Sequence, residues 1–227
     1  MPPQSTPKNG AALRRKLLAW FRTAGRDLPW RRTRDPYRVL VSEFMLQQTQ
    51  VSRVLHFYPR FLRRYPDLEA LARAKPRAVR EAWEGLGYYR RAANLHRLAR
   101  QVVRHYAGTV PSDPEELEKL PGVGPYTAGA VATFAFEKPA AAVDTNAARV
   151  LRRVFGCRTA KEARTAAQLL QPKRGKTAWA FNQALMELGA LVCTARAPKC
   201  PSCPVNKLCN WYLTTRNHSQ LGVSQLS

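Results

Sequence analysis

Four cysteines crowd the C-terminal part of the 227-residue chain: Cys193, Cys200, Cys203 and Cys209, spaced C-x6-C-x2-C-x5-C. Thiolates are soft ligands, and four of them within seventeen residues rich in Pro and Lys imply a bound metal centre. Structural zinc more often uses two C-x2-C knuckles flanking a longer finger. Only one such pair is present, so an iron–sulfur cluster fits the spacing better. The fifth cysteine, Cys157 beside Gly156, reads as a small buried residue with no chemical role.

Two carboxyl groups stand in apolar surroundings, Glu43 inside VLVSEFML and Asp144 inside AAAVDTNA. Desolvation raises a carboxyl pKa towards the range of a general acid. Asp144 reads equally well as an ordinary helix N-cap, and Glu187 in LMELGAL is a third acid of the same kind. Burial pattern alone does not choose among the three.

The run LPGVGPYTAGAV at 120–131 reads as a helix end, a tight turn with Gly122 and Gly124, and a second helix packed with small residues. Backbone amides at such a helix start, aided by the helix dipole, can hold a phosphate. Glycine at the turn supplies positive φ and leaves no Cβ to block a sugar-phosphate chain.

These residues need elements to carry them, and the apolar spacing is helical throughout. It predicts helices over 11–24, over 37–65 with a break at QQTQ (47–50) where Thr49 is a candidate N-cap, and over 67–74, 76–84 and 90–106. In 90–106, Leu95, Ala99 and Val102 share one face while Arg97, Arg100 and Arg104 share another. A helix–turn–helix over 114–136, a helix opening at Asp144 and a long helix over 176–191 complete the pattern. No segment alternates as a strand would, so the fold class is all-α. Residues 213–227 (LTTRNHSQLGVSQLS) read as a disordered tail.

Lys and Arg total 38 against 15 acids, a formal net charge of +23. Acids are scarce along the whole chain, which points to a polyanionic partner, nucleic acid first. The first ten residues lack an apolar signal core and no run approaches membrane-spanning length, so the expectation is an intracellular, cytoplasmic, nucleoid-associated protein with no membrane partner.

Taken in order, LPWRRTRDPY, SEFMLQQTQV, EGLGYYRRAANLH, LPGVGPYTAGAV, VDTN and the four-cysteine loop resemble the helix-hairpin-helix DNA glycosylases of the endonuclease III-like superfamily. The likeness is greatest to the catalytic region of the adenine DNA glycosylases of the MutY type and runs from about Leu13 to Tyr212. It implies a six-helix barrel lobe with the hairpin over 28–137, a discontinuous cluster lobe from 10–27 and 138–212, a tail at 213–227, and a base flipped into the cleft between the lobes. The cofactor it implies is a [4Fe-4S] cluster on Cys193, Cys200, Cys203 and Cys209. The partner is double-stranded DNA bearing a mismatched or damaged base, bound by a monomer.

The same resemblance assigns roles. Glu43 matches the acid that protonates the departing adenine and Asp144 the carboxylate that stabilises the sugar cation, supported by Tyr126 and Asn146. Cleaving an N-glycosidic bond calls for such a pair, since the leaving base needs a proton and the sugar becomes oxocarbenium-like. Gln48 and Tyr88 match side chains inserted into the duplex. Arg31, Thr49, Leu86, Gly122, Val123 and Gly124 complete the implied DNA contacts. Tyr126 stands where bifunctional relatives carry a Schiff-base lysine, implying hydrolysis with little or no AP lyase activity. Two features depart from the pattern: adenine glycosylases of this type continue into a C-terminal domain that reads 8-oxoguanine, and Thr145 replaces a smaller residue. Excision of adenine opposite 8-oxoguanine or guanine leads. Removal of thymine or uracil opposite guanine is the alternative within the enzyme class, and a non-catalytic iron–sulfur DNA-binding protein the alternative outside it.

Overall fold

The computed structural model describes residues 7–221, and among these it holds α-helices and short 3₁₀ turns with no strand. In chain order the helices are α1 (Gly10–Ala24), α2 (Pro36–Leu46), α3 (Val51–Arg64), α4 (Leu68–Arg73), α5 (Pro76–Ala82), α6 (Arg90–His105), α7 (Pro114–Glu118), α8 (Pro125–Phe134), α9 (Thr145–Phe155), α10 (Ala160–Leu169), α11 (Gly175–Leu191) and α12 (Asn210–Leu221). They form two compact units, one of Asp27–Lys138 and the other of the residues up to Arg26 together with those from Pro139 onward.

In the unit of Asp27–Lys138, α2 is the central helix. Tyr37, Val39, Leu40, Val41, Phe44 and Met45 are all buried, and α3, α6 and α8 pack around it. Its start is fixed locally: Pro36 takes the first turn, and the Asp35 carboxylate accepts from the amides of Tyr37 (2.8 Å) and Arg38 (3.3 Å). α8 buries Thr127 through Phe134 without a break, because its Ala, Gly, Thr and Val side chains let neighbouring backbones approach closely. The expected break at 47–50 is present, but Gln50 precedes α3 and makes no side-chain cap. Thr49 is not the cap, because its hydroxyl already accepts from Arg91 Nη2 at 3.0 Å.

In the other unit, Leu13 and Leu17 of α1, Val150, Leu151 and Val154 of α9, and Phe181, Leu185 and Leu188 of α11 form the core. Glu187 on α11 is 1% exposed. It accepts from Arg26 Nε (2.7 Å), Nη2 (2.9 Å) and the Arg26 amide (3.0 Å), which commits this third acid to a structural ion pair. α10 was not legible in the apolar spacing. It is short and alanine-rich, buries only Ala163, Ala166 and Ala167, and packs on α9. Residues 213–221, expected as tail, are helical: α12 leads straight out of Cys209, packs on α9, and stacks Trp211 under the Arg153 guanidinium at 4.8 Å. Residues 222–227 of that expected tail lie outside the described residues. Cys157 is half-buried where full burial was expected, because it follows Gly156, the left-handed C-cap that turns the chain out of α9.

Candidate functional site

Glu43 lies on α2, 3% exposed, and accepts a hydrogen bond from Tyr126 Oη at 2.7 Å. Tyr126 sits in the first turn of α8, so the hairpin that carries it also aims its phenol at the carboxylate. The turn before α8 is tighter than any side chain allows. Gly122 has φ +79°, and a Cβ there would meet the Asn94 side chain at 2.7 Å. Gly124 differs from the expectation of left-handed turn glycines: it is extended, caps α8, and a Cβ on it would meet open space. Val123 between them is buried, so only its backbone can contribute to a contact. Arg31 ends the 3₁₀ turn Pro29–Arg31.

The loops 47–50 and 85–89 line one groove, with Gln48, Thr49, Gln50, Arg53 and Tyr88 among its residues. Gln48 (φ +56°) and Tyr88 (φ +47°) are both left-handed, which costs a non-glycine residue about 1–2 kcal/mol. Tyr88 is also 63% exposed. Strain at two exposed polar or aromatic side chains marks a surface built for contact. Leu86 lines the same groove but is only 3% exposed, so its backbone, more than its side chain, is what it offers to a contact there.

The residue that holds both loops is Arg91, which the sequence did not single out. Its guanidinium donates to the carbonyls of Phe44 (3.0 Å), Met45 (2.8 Å), Gln47, Leu86 (3.2 Å) and Gly87 (3.1 Å), and to Thr49 Oγ1 (3.0 Å). It is stacked on Trp83 (5.6 Å) and Tyr88 (5.5 Å). Its partners on the 44–49 segment lie 42 to 47 residues away in sequence, and no local spacing signals them.

In the other unit Asp144 is the helix N-cap that the sequence allowed. It caps α9, accepting the Ala147 amide at Oδ1 (2.7 Å), and its Oδ2 accepts from Asn146 Nδ2 (2.9 Å). Burial pushes its pKa up, while the Ala147 and Asn146 donors and the Arg149 charge act the other way. Asn146 Oδ1 in turn accepts from Arg149 Nη2 (2.7 Å), and Arg149 donates to the carbonyls of Gly189 (2.8 Å) and Cys193 (2.8 Å). Gly189 must be glycine, since a Cβ would lie 2.6 Å from Asn146. Thr145 is exposed at the start of α9.

Cys193, Cys200, Cys203 and Cys209 line one small cavity, shared with Val150, Leu188 and Trp211. Arg153 donates to Cys193 Sγ (3.3 Å) and to the carbonyls of Thr194 (2.7 Å) and Ala195 (3.0 Å). Burial, with the other three thiols adding to it, pushes the Cys203 thiol up to about 11. Among the described residues no three His, Cys, Asp or Glu side chains gather tightly enough for a single metal ion. The donor set suits a larger centre: four thiols around one space, with a guanidinium beside them to offset thiolate charge.

The chain is similar to several known DNA glycosylases. An adenine DNA glycosylase of Rattus norvegicus is 43% identical over 95% of this chain and 43% of its own length, and one of Mycobacterium tuberculosis is 47% identical over 86% of this chain and 66% of its own. The chain thus spans about two fifths of the first of these relatives and about two thirds of the second. A thymine-DNA glycosylase of Aeropyrum pernix is 40% identical over 88% of this chain and 94% of its own length. A solved thermostable thymine-DNA glycosylase superposes with a TM-score of 0.85 at 36% identity, covering 91% of this chain and 98% of that one. Residues 41–174 match the HhH-GPD superfamily of base excision DNA repair proteins, and the chain belongs to that superfamily.

Proposed function

We propose that this chain is a monofunctional DNA glycosylase, which takes adenine mispaired with 8-oxoguanine or guanine out of duplex DNA and hydrolyses its N-glycosidic bond. The observation that carries the reading is the buried Glu43 carboxyl held by the Tyr126 phenol at 2.7 Å. Glu43 delivers a proton to the leaving adenine, and Tyr126 fixes which carboxyl oxygen is engaged. Asp144, oriented by Ala147 and Asn146, places negative charge against the oxocarbenium-like sugar, and water completes the reaction. Tyr126 provides no amine for a Schiff base, so strand cleavage is not part of the cycle.

Gln48 and Tyr88 enter the duplex as the base leaves it, and the hairpin amides at Gly122–Gly124 take a backbone phosphate. The protein acts as a monomer alongside chromosomal DNA. Cys193, Cys200, Cys203 and Cys209 hold a [4Fe-4S] cluster, which when bound ties the 193–209 loop into one rigid unit. The resident residues then position that loop: Arg153 satisfies Thr194 and Ala195, and Arg149 carries its position to Asn146.

Labelled duplexes carrying A:8-oxoG, A:G, T:G and U:G, incubated with the cluster-loaded protein and then cleaved with alkali, test the reading. Release from the two adenine pairs is the expected result. The likeness to a thymine-DNA glycosylase over 94% of that protein's length supports a second reading, which release from T:G and U:G alone would favour. Release from none would end both.

A further inference from the structure

Resting on the glycosylase reading, we infer that the pocket between α5 and α6 is a second phosphate site, which takes the DNA backbone flanking the Gln48–Tyr88 groove. The pocket, about 650 Å³ and open to solvent, is walled by Arg77 and Arg80 of α5 and by Arg90, Arg97 and Arg100 of α6. All five are exposed. Arg77 is paired with Glu81 at 3.0 Å, whereas Arg80, Arg90, Arg97 and Arg100 form no ion pair among the described residues. Four unneutralised guanidiniums around one pocket repel one another, and the ligand that relieves them is a multivalent anion.

The arginine spacing selects an extended anion. Arg90, Arg97 and Arg100 share one face of α6 and span about 15 Å at the 1.5 Å helical rise. One DNA strand presents a phosphate about every 3.4 Å along its axis, so this row covers roughly four phosphates. Position agrees with spacing. Tyr89, under the Arg80 guanidinium at 5.0 Å, borders both this pocket and the groove that contains Gln48 and Tyr88, so a strand engaged in one runs directly into the other. His96 lines the same pocket at 4% exposure, and burial, with the Arg100 charge beside it, lowers its pKa.

The test uses the full, cluster-loaded chain and the Arg97→Gln/Arg100→Gln double variant, with affinity for a mismatched duplex read by fluorescence anisotropy over a range of salt concentrations. The variant's slope of log K against log salt is expected to be shallower by about 2, one unit for each phosphate left without its arginine. Its single-turnover base release at saturating enzyme is expected to equal that of the unchanged protein. A duplex trimmed on one flank is expected to erase the difference between the two proteins.

An unchanged slope overturns the inference. So does an equal loss in the charge-matched control Lys161→Gln/Arg164→Gln on α10, or a difference that survives trimming of either flank. Inorganic triphosphate binding that disappears in the variant while the duplex slope stays fixed assigns the pocket to a free anion and overturns it as well. Base release is scored separately, so a slope change without any glycosylase activity sinks the proposed function and leaves this site standing.

Discussion

Replacing Arg91 by Met keeps the length of the side chain and removes the fork that joins the two groove loops. Five backbone carbonyls and the Thr49 hydroxyl lose their donor, three of them within or next to the last turn of α2 and two on the 85–89 loop. Single hydrogen bonds to a charged group are worth about 1.5–3 kcal/mol, but they do not add, and breaking a buried charged network typically costs about 3–5 kcal/mol. Burial already lowers the Arg91 pKa, so part of the gross interaction is spent on desolvation. The variant should stay folded with a lower Tm, since a domain of this size has about 5–15 kcal/mol in hand.

The larger effect falls on recognition. Gln48 and Tyr88 are each held in left-handed backbone at about 1–2 kcal/mol, and without the clamp both relax. Binding then has to restore about 2–4 kcal/mol of conformational work, a loss of roughly 30- to 700-fold in affinity for a mismatched duplex. Anisotropy with a duplex bearing a non-cleavable adenine analogue measures this, alongside thermal unfolding. Arg91→Lys, a point charge without the fork, should recover only part of the loss. A variant that loses several degrees of Tm yet binds and releases base normally would refute the reasoning and reduce Arg91 to a packing residue.

Asp144→Asn keeps a cap acceptor for α9, so Tm should hold while base release drops by about 10²- to 10³-fold and duplex affinity survives; Glu43→Gln should slow release by about 10²- to 10⁴-fold in the same single-turnover assay. If Asp144 acts as proposed it must be ionised, and burial raises its pKa, so the rate should fall as pH drops through a value above the ordinary aspartate range, and Asn146→Leu, which removes a donor that lowers the pKa, should move that limb higher still. Gly122→Ala should lower Tm because of its φ of +79° and the Asn94 clash, whereas Gly124→Ala should leave Tm intact and weaken binding, as unfolding and anisotropy together would show. Borohydride should trap no covalent adduct with substrate DNA, judged by gel shift under denaturing conditions.

The parts legible in the sequence are those whose signal is local. The VDTN cap, the cysteine spacing and the hairpin glycines each lie within a few residues, and the apolar period marked most helices. α10 escaped because alanines give little periodic contrast, although Thr159 accepting the Glu162 amide at 3.1 Å is a capping signal that T-x-x-E could have announced. α12 escaped because its anchor is tertiary, Trp211 against Arg153 on another helix. Arg91, Arg149 and Arg153 were hidden among 38 basic residues, since their partners are backbone carbonyls that any sequence possesses. The burial of Leu86 was equally invisible, because the neighbouring Tyr88 in the same loop points outward.

Arg149 and Arg153 stand one helical turn apart on α9 and grip the cysteine loop by its main chain, at Cys193, Thr194 and Ala195. Inherited or engineered changes to the side chain at 195 should therefore be largely silent, whereas Thr194 also donates its hydroxyl to the Ala197 carbonyl at 2.7 Å and would feel a loss of that group. A proline or a deletion at either position would displace Arg149, loosen Asn146, and surface as sluggish chemistry in a protein that still locates its lesions, so harmful alleles at 195 would sort by what they do to the peptide path and hardly at all by polarity or size.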